Sequence, residues 1–242
     1  SEDKTFSYIP DCSDLDIPDD LDYVYICENN TIYGTKYKEL PPHEGKLLVA
    51  DLSSCILSER TDVSKYDLIF AGAQKNMGPA GLTVVIIKKD LIGLADEKTP
   101  SMLNYKTYAD NDSMFNTPPT YAIYICGLVL EWLETQIGGL ENMEKINRQK
   151  AKLLYDYIDA SKLYSNPVVP EDRSYTNVPF VTGDKDLDTK FVKEAKEAGI
   201  VNIKGHRTVG GMRASIYNAM PLEGVEAVSY THLRAHETPE HL

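Results

Sequence analysis

Lys75 lies in the stretch AGAQKNMGPAGL, residues 71–82, directly after the strand-like run YDLIF. Ala71, Gly72, Ala73, Gly78 and Ala80 leave little bulk around it. A lysine so placed has two readings. One is a solvated surface charge following a strand. The other is an amine that condenses with an aldehyde, its small neighbours leaving room for a flat ring. Asp51, in DLSS, closes an earlier apolar run, LLVA. Such a carboxylate can sit under the same ring. A lysine for the aldehyde carbon and an aspartate for the pyridine nitrogen are the pair that pyridoxal phosphate needs. The plainer reading of Asp51 is a loop cap, with Ser53 and Ser54 as turn residues.

The elements that must position this pair follow from hydropathy. LDYVYIC (21–27) alternates as a strand and ends in the polar loop ENNTIYG. LLVA, YDLIFAGAQ (66–74) and LTVVII (82–87) are further strand-like runs. Short apolar strands with polar C-terminal ends predict a sheet covered on both faces. Ligands of open α/β sheets sit beyond the carboxyl ends of strands. Residues 28–31, Asp51 and Lys75 all fall at such ends.

The loop SMLNYKTYADNDSMFNTPPT (101–120) is long enough to be functional or interfacial. YAIYICGLVLEWLETQ (121–136) is apolar on most sides and is predicted as a largely buried helix, with Trp132 in the core. After Gly138 and Gly139, residues 140–160 form an amphipathic helix through Leu140, Met143, Ile146, Ala151, Leu154, Tyr157 and Ile158. LDTKFVKEAKEAGI is a helix closed by Gly199. GHRTVGGMRASIYNAM is a loop and strand carrying two arginines. The expected organisation is a partial large domain over residues 1–143 and a small α+β domain over 144–228.

The 242 residues carry a formal net charge of −12, which argues against a nucleic-acid partner. A small anion remains compatible with it. The longest apolar runs are far too short to span a bilayer. Cys12, Cys27, Cys55 and Cys126 show neither CxxC pairing nor zinc spacing, so no metal is expected and a reducing cytoplasm fits.

AGAQKNMGPAGL, ENNTIYG, DLSS, NTPPT and GHRTVGGMRASIYNAMPLEGVEA together resemble the phosphoserine aminotransferase family, over residues 9–227. Members are class V pyridoxal phosphate enzymes of fold type I. The resemblance implies an α/β fold with a mostly parallel sheet and a small α+β C-terminal domain. It implies that Lys75 carries the cofactor in Schiff-base linkage and that Asp51 pairs with the pyridine nitrogen. Thr31 then bonds the ring hydroxyl and Gln74 contacts the cofactor. Asn116 and Thr117 reach the cofactor phosphate of the partner subunit in a homodimer. His206 and Arg207 lie near the substrate phosphate, and Arg213 holds the substrate carboxylate. The implied reaction is ping-pong transamination linking phosphoserine, 3-phosphohydroxypyruvate, glutamate and 2-oxoglutarate in serine biosynthesis. The related phosphohydroxythreonine step of pyridoxine biosynthesis is a further possibility.

Two departures from the family pattern stand out. The segment that supplies the family's phosphate-binding turn and stacking ring has no counterpart, so an N-terminally truncated chain is expected. After PLEGVEA the chain reads VSYTHLRAHETPEHL instead of a closing helix, and residues 229–242, with His232, His236 and His241, are expected to be a non-family tail. The alternatives are another class V enzyme, such as a serine–pyruvate aminotransferase or a cysteine desulfurase, and a non-catalytic fragment. No cysteine sits in an evident mobile catalytic loop, which disfavours the desulfurase.

Overall fold

The computed structural model describes residues 3–43 and 45–229. The three tail histidines lie outside them. Strands β1 (Tyr23–Cys27), β2 (Leu47–Asp51), β3 (Leu68–Gly72) and β4 (Thr83–Ile87) form one sheet in that order. The first three run parallel, with Cys27 beside Asp51 and Asp51 beside Phe70. β4 returns antiparallel to β3.

The parallel register puts Ile26, Leu48, Ala50, Ile69 and Ala71 on one face, where they are buried with Met77 and Cys126. Tyr23, Tyr25 and Leu47 point from the other face and stay exposed, as does Val85 of β4; Ile86, opposite Ile69, is on the first face but is exposed at the edge. The expected two-sided cover is therefore corrected: the described residues bury the centre of one face, at Leu48, Ala50, Ile69 and Ala71, and leave the other largely open. The apolar run of β4 is an edge strand and not a buried one. The sequence misled here because a strand buried on both sides and one awaiting cover have the same composition.

Helices α1 (Tyr105–Ala109) and α2 (Thr120–Trp132) follow the sheet. α2 buries only Ala122 and Cys126, whereas Tyr121 and Tyr124 are 72% and 63% exposed. The expectation of a largely buried helix is corrected too. A helix apolar all round needs neighbours on several sides, and the described residues supply one. Among them no helix is long and apolar enough to cross a membrane.

A wide turn over Leu133–Ile137 ends at Gly138 (φ 81°) and Gly139 (φ 96°), which redirects the chain into α3 (Leu140–Ala160). The inward stripe of α3 is Met143, Asn147, Lys150, Ala151, Leu154, Tyr155 and Ile158. Its second half packs into a separate hydrophobic cluster with β5 (Asn177–Phe180), α4 (Lys185–Glu197), β6 (Met212–Ser215) and α5 (Leu222–Glu226). β5 and β6 pair antiparallel. Tyr164, Phe180 and Phe191 meet edge to face at the centre of this cluster. Asp184 caps α4 by accepting from the backbone N–H of Asp186 and Leu187, and Gly199 (φ 86°) follows its end.

A buried polar network ties the two clusters together. Asn29, after β1, donates to Ser54 Oγ (2.8 Å) and Asn177 Oδ1 (2.9 Å). It accepts from Ser174 Oγ at 2.5 Å. Asn177 in turn reaches Tyr217 OH at 3.1 Å. Each bond replaces one otherwise made to water, so the network fixes orientation more than it adds stability.

Candidate functional site

The loop after β3 turns where Met77 and Gly78 donate to the carbonyl of Ala73, and Ala73 donates to that of Leu82. Small residues keep this turn close to its neighbours. A Cβ on Gly72 would lie 2.6 Å from Gln74 Oε1. Gly78 runs against the backbone of α2 at Cys126. The turn delivers Lys75, half-buried, to the carboxyl ends of the strands.

Lys75 Nζ donates to Thr31 Oγ1 at 2.9 Å. The carbonyl of Thr31 accepts from Arg213 Nη1 at 3.1 Å. One short chain of bonds thus joins the loops after β1 and β3 to β6. Asp51 ends β2, with its Oδ1 held by the Ser53 backbone N–H at 2.7 Å, and Ser53 Oγ accepts from the N–H of Gly72 at 3.0 Å.

Burial is the main cause lowering the proton affinity of Lys75. Arg213 adds to that effect, while the Asp51 carboxylate opposes it. The Cys27 thiol, beside Asp51 on β1, is pushed up by burial and then by Asp51, with Lys75 opposing. Asp51 and Lys75 therefore share one electrostatic environment, as their placement at neighbouring strand ends implies.

Arg213 Nε is buried without a partner. A buried guanidinium donor left without a protein partner is suited to an anion. A cleft of about 450 Å³ opens beside the loop, lined by Lys75, Asn76, Ile125, Leu128, Trp132 and Ala219, among others. Trp132 is thus a wall residue of this cleft and not the core residue expected of it.

The other candidates are placed less centrally. Gln74 is exposed and folds over Gly72. The loop 205–211 turns back, with Gly205 N–H bonded to the carbonyl of Gly211 at 2.8 Å. His206 is half-buried, its Nδ1 2.8 Å from Thr208 Oγ1, and Arg207 is exposed. The structure does not bring either onto Lys75. Asn116 and Thr117 are exposed, and Asn116 donates to the Thr117 carbonyl at 3.1 Å. Neither caps α2, whose N-cap is Pro119 with no side-chain bond. Asn116 lines a different cleft, against β4 and α1.

Sequence reasoning missed Asn76 and Asn218. Asn76 Oδ1 accepts from the Asn218 N–H at 3.0 Å, and its amide donates to the Ile56 carbonyl at 2.9 Å. Asn76 was legible only as the neighbour of Lys75; nothing in the sequence marked Asn218. Among the described residues no group of acidic, histidine and cysteine side chains is arranged to hold a metal ion.

Residues 5–228 match the family model described as aminotransferase class-V. The chain is 57% identical over 226 residues to phosphoserine aminotransferase of Bacillus cereus, covering 93% of this chain and 62% of that protein. The structure superposes on phosphoserine aminotransferase from Bacillus circulans subsp. alkalophilus with a TM-score of 0.93 at 41% identity, covering 97% of this chain and 65% of that one. It also superposes on pyridoxal phosphate-bound phosphoserine aminotransferase from Trichomonas vaginalis with a TM-score of 0.85 at 39% identity, covering 90% and 62%. The chain spans 62% of the length of the curated Bacillus cereus relative.

Proposed function

The chain belongs to the class-V aminotransferase family, with a partial fold-type I domain, and from that premise we propose that it acts as a phosphoserine aminotransferase, exchanging an amino group between phosphoserine and 2-oxoglutarate with pyridoxal phosphate held on Lys75. The observation that carries this reading is the bonded chain from Lys75 through Thr31 to Arg213. It puts an amine, a hydroxyl and a carboxylate-binding fork in one place.

The residues fit the aldehyde and ring of the cofactor. Lys75 offers the amine, Thr31 a hydroxyl and Asp51 a carboxylate at a strand end. When bound, pyridoxal phosphate draws electrons from the substrate's α-carbon and makes its proton removable. Lys75 Nζ is the group that moves that proton. Its burial leaves a larger share of neutral amine near physiological pH than an exposed lysine has. Arg213 orients the substrate carboxylate through its planar fork, and its idle Nε supports that role. His206 and Arg207 are assigned the substrate phosphate, supported by the fold-back of their loop. Gln74 is assigned a cofactor contact.

Further parts of the reading are the homodimer, in which Asn116 and Thr117 serve the partner's cofactor phosphate, and the cytoplasmic setting, supported by four free cysteines. A domain boundary near residue 144 is supported by the two separate hydrophobic clusters.

The test is to mix the chain with pyridoxal phosphate, reduce with borohydride and locate the modified peptide by mass. An adduct on Lys75, lost in Lys75→Ala and weakened in Asp51→Asn, is expected. Labelling scattered over surface lysines would overturn the reading for this chain.

A further inference from the structure

Among the described residues, Lys150 is one of the largest side chains buried completely. It lies on the inward stripe of α3, three residues from Asn147. An ammonium in such a place normally faces a carboxylate. Lys150 has none within ion-pair distance among the described residues. Its Nζ instead donates to three backbone carbonyls: Ile216 at 3.2 Å, Tyr217 at 2.9 Å and Met220 at 3.0 Å. An ammonium has three N–H donors, so the set is complete, whereas a neutral amine has only two.

Those carbonyls belong to the loop that leaves β6, where Arg213 sits. The same loop carries Asn218, whose N–H bonds Asn76 Oδ1 and whose amide donates to the Leu57 carbonyl at 2.9 Å. Asn147, on the same face of α3, donates to Asn218 Oδ1 at 2.9 Å. Ala219 lines the cleft beside Lys75 and Asn76. One turn of α3 thus grips residues 216–220, and those residues grip the neighbour of Lys75.

We propose that Lys150 is a positioning residue for the amine of Lys75, acting through the loop 216–220 and the Asn218–Asn76 hydrogen bond. A methionine of similar length would avoid the desolvation of a charge, so stability alone does not account for a lysine here. Three carbonyls converging from one loop do account for it, because only a trivalent donor satisfies all of them. With the grip intact, the 73–78 turn stays closed over Lys75 and keeps its amine half-buried. With the grip lost, Asn76 loses a partner, the turn relaxes and water reaches Lys75.

This rests on the reading of Lys75 as the reactive amine. The readout is therefore taken without cofactor, so that a chain that binds no pyridoxal phosphate still answers the question. Competitive acylation across pH, with mass detection of the Lys75 peptide, gives the proton affinity of that amine. Lys150→Met and Asn76→Ala, the second removing the Oδ1 that accepts from the Asn218 backbone N–H, are each expected to raise it toward the ordinary lysine range, and the double variant to raise it no further than the larger single effect. Lys152→Met, exposed on the same helix, serves as the control and is expected to leave it unchanged. If Lys150→Met does not fold, Lys150→Arg replaces it. That variant keeps the charge but misplaces the donors, and the same upward direction is expected. An unchanged Lys75 profile in a folded Lys150 variant overturns the proposal, as do fully additive shifts in the double variant.

Discussion

Lys75 Nζ and Thr31 Oγ1 are 2.9 Å apart, although 44 residues separate them in the chain. Thr31 is itself fastened by Arg213 through its carbonyl. The Lys75 amine is thus located by two loops and a strand from both hydrophobic clusters. Thr31→Val removes the hydroxyl and keeps the shape. A neutral hydrogen bond is worth about 0.5–1.5 kcal/mol, so cofactor retention should fall roughly twofold to tenfold. Equilibrium dialysis against pyridoxal phosphate measures it, and unchanged retention would remove Thr31 from the site.

Asp51 raises the proton affinity of Lys75 against the larger effect of burial. Asp51→Asn should therefore lower it further and leave more neutral amine at pH 7–8. Acylation of the Lys75 peptide should quicken at fixed pH. A slower reaction would mean that Asp51 does not act on Lys75 through its charge.

Arg213→Ala should weaken capture of glutamate and 2-oxoglutarate. Hydrogen bonds to charged groups are worth about 1.5–3 kcal/mol, which predicts a KM rise of roughly tenfold to a hundredfold. Because the change also frees the Thr31 carbonyl, cofactor retention should be measured alongside. A KM unchanged for both substrates would reassign the arginine.

His206→Ala and Arg207→Ala should raise KM for phosphoserine far more than for an unphosphorylated analogue. The loop carrying them is exposed and glycine-rich, so folding should survive both changes. Equal losses on the two substrates would sink the phosphate assignment.

Burial lowers the Lys150 ammonium to about 8, below the value of about 10.4 for a free lysine. Between those values the unfolded chain binds more protons than the folded one, so this residue makes stability rise with pH. Below pH 8 both states are charged and the burden of the buried charge is fully present. Denaturant unfolding at pH 7.5 and pH 10 should show the native protein gaining on Lys150→Met by up to roughly 3 kcal/mol. Parallel pH profiles would contradict a buried, carboxylate-free ammonium.

The strands and the amphipathic helix α3 were legible because their periodicity reports a local face; of its inward stripe Met143, Ala151, Leu154 and Ile158 were expected, whereas the buried Asn147, Lys150 and Tyr155 were not and Leu140, Ile146 and Tyr157 are only partly buried. The placement of Lys75 and Asp51 at one end of the sheet was legible because both follow strand-like runs. Which faces stay uncovered was not legible from the apolar runs themselves. The apolar composition of α2 and β4 says that they tolerate burial, but only the spatial arrangement shows which sides have neighbours. The bond from Thr31 to Lys75, the idle Nε of Arg213 and the reach of Lys150 to three carbonyls depend on distances between residues far apart in sequence. The sequence by itself determined which side chains can do chemistry and which segments carry them, because those are local properties. The tertiary structure decided which of them meet, because hydrogen bonds and proton affinities fall off within a few ångströms and no spacing along the chain encodes that proximity.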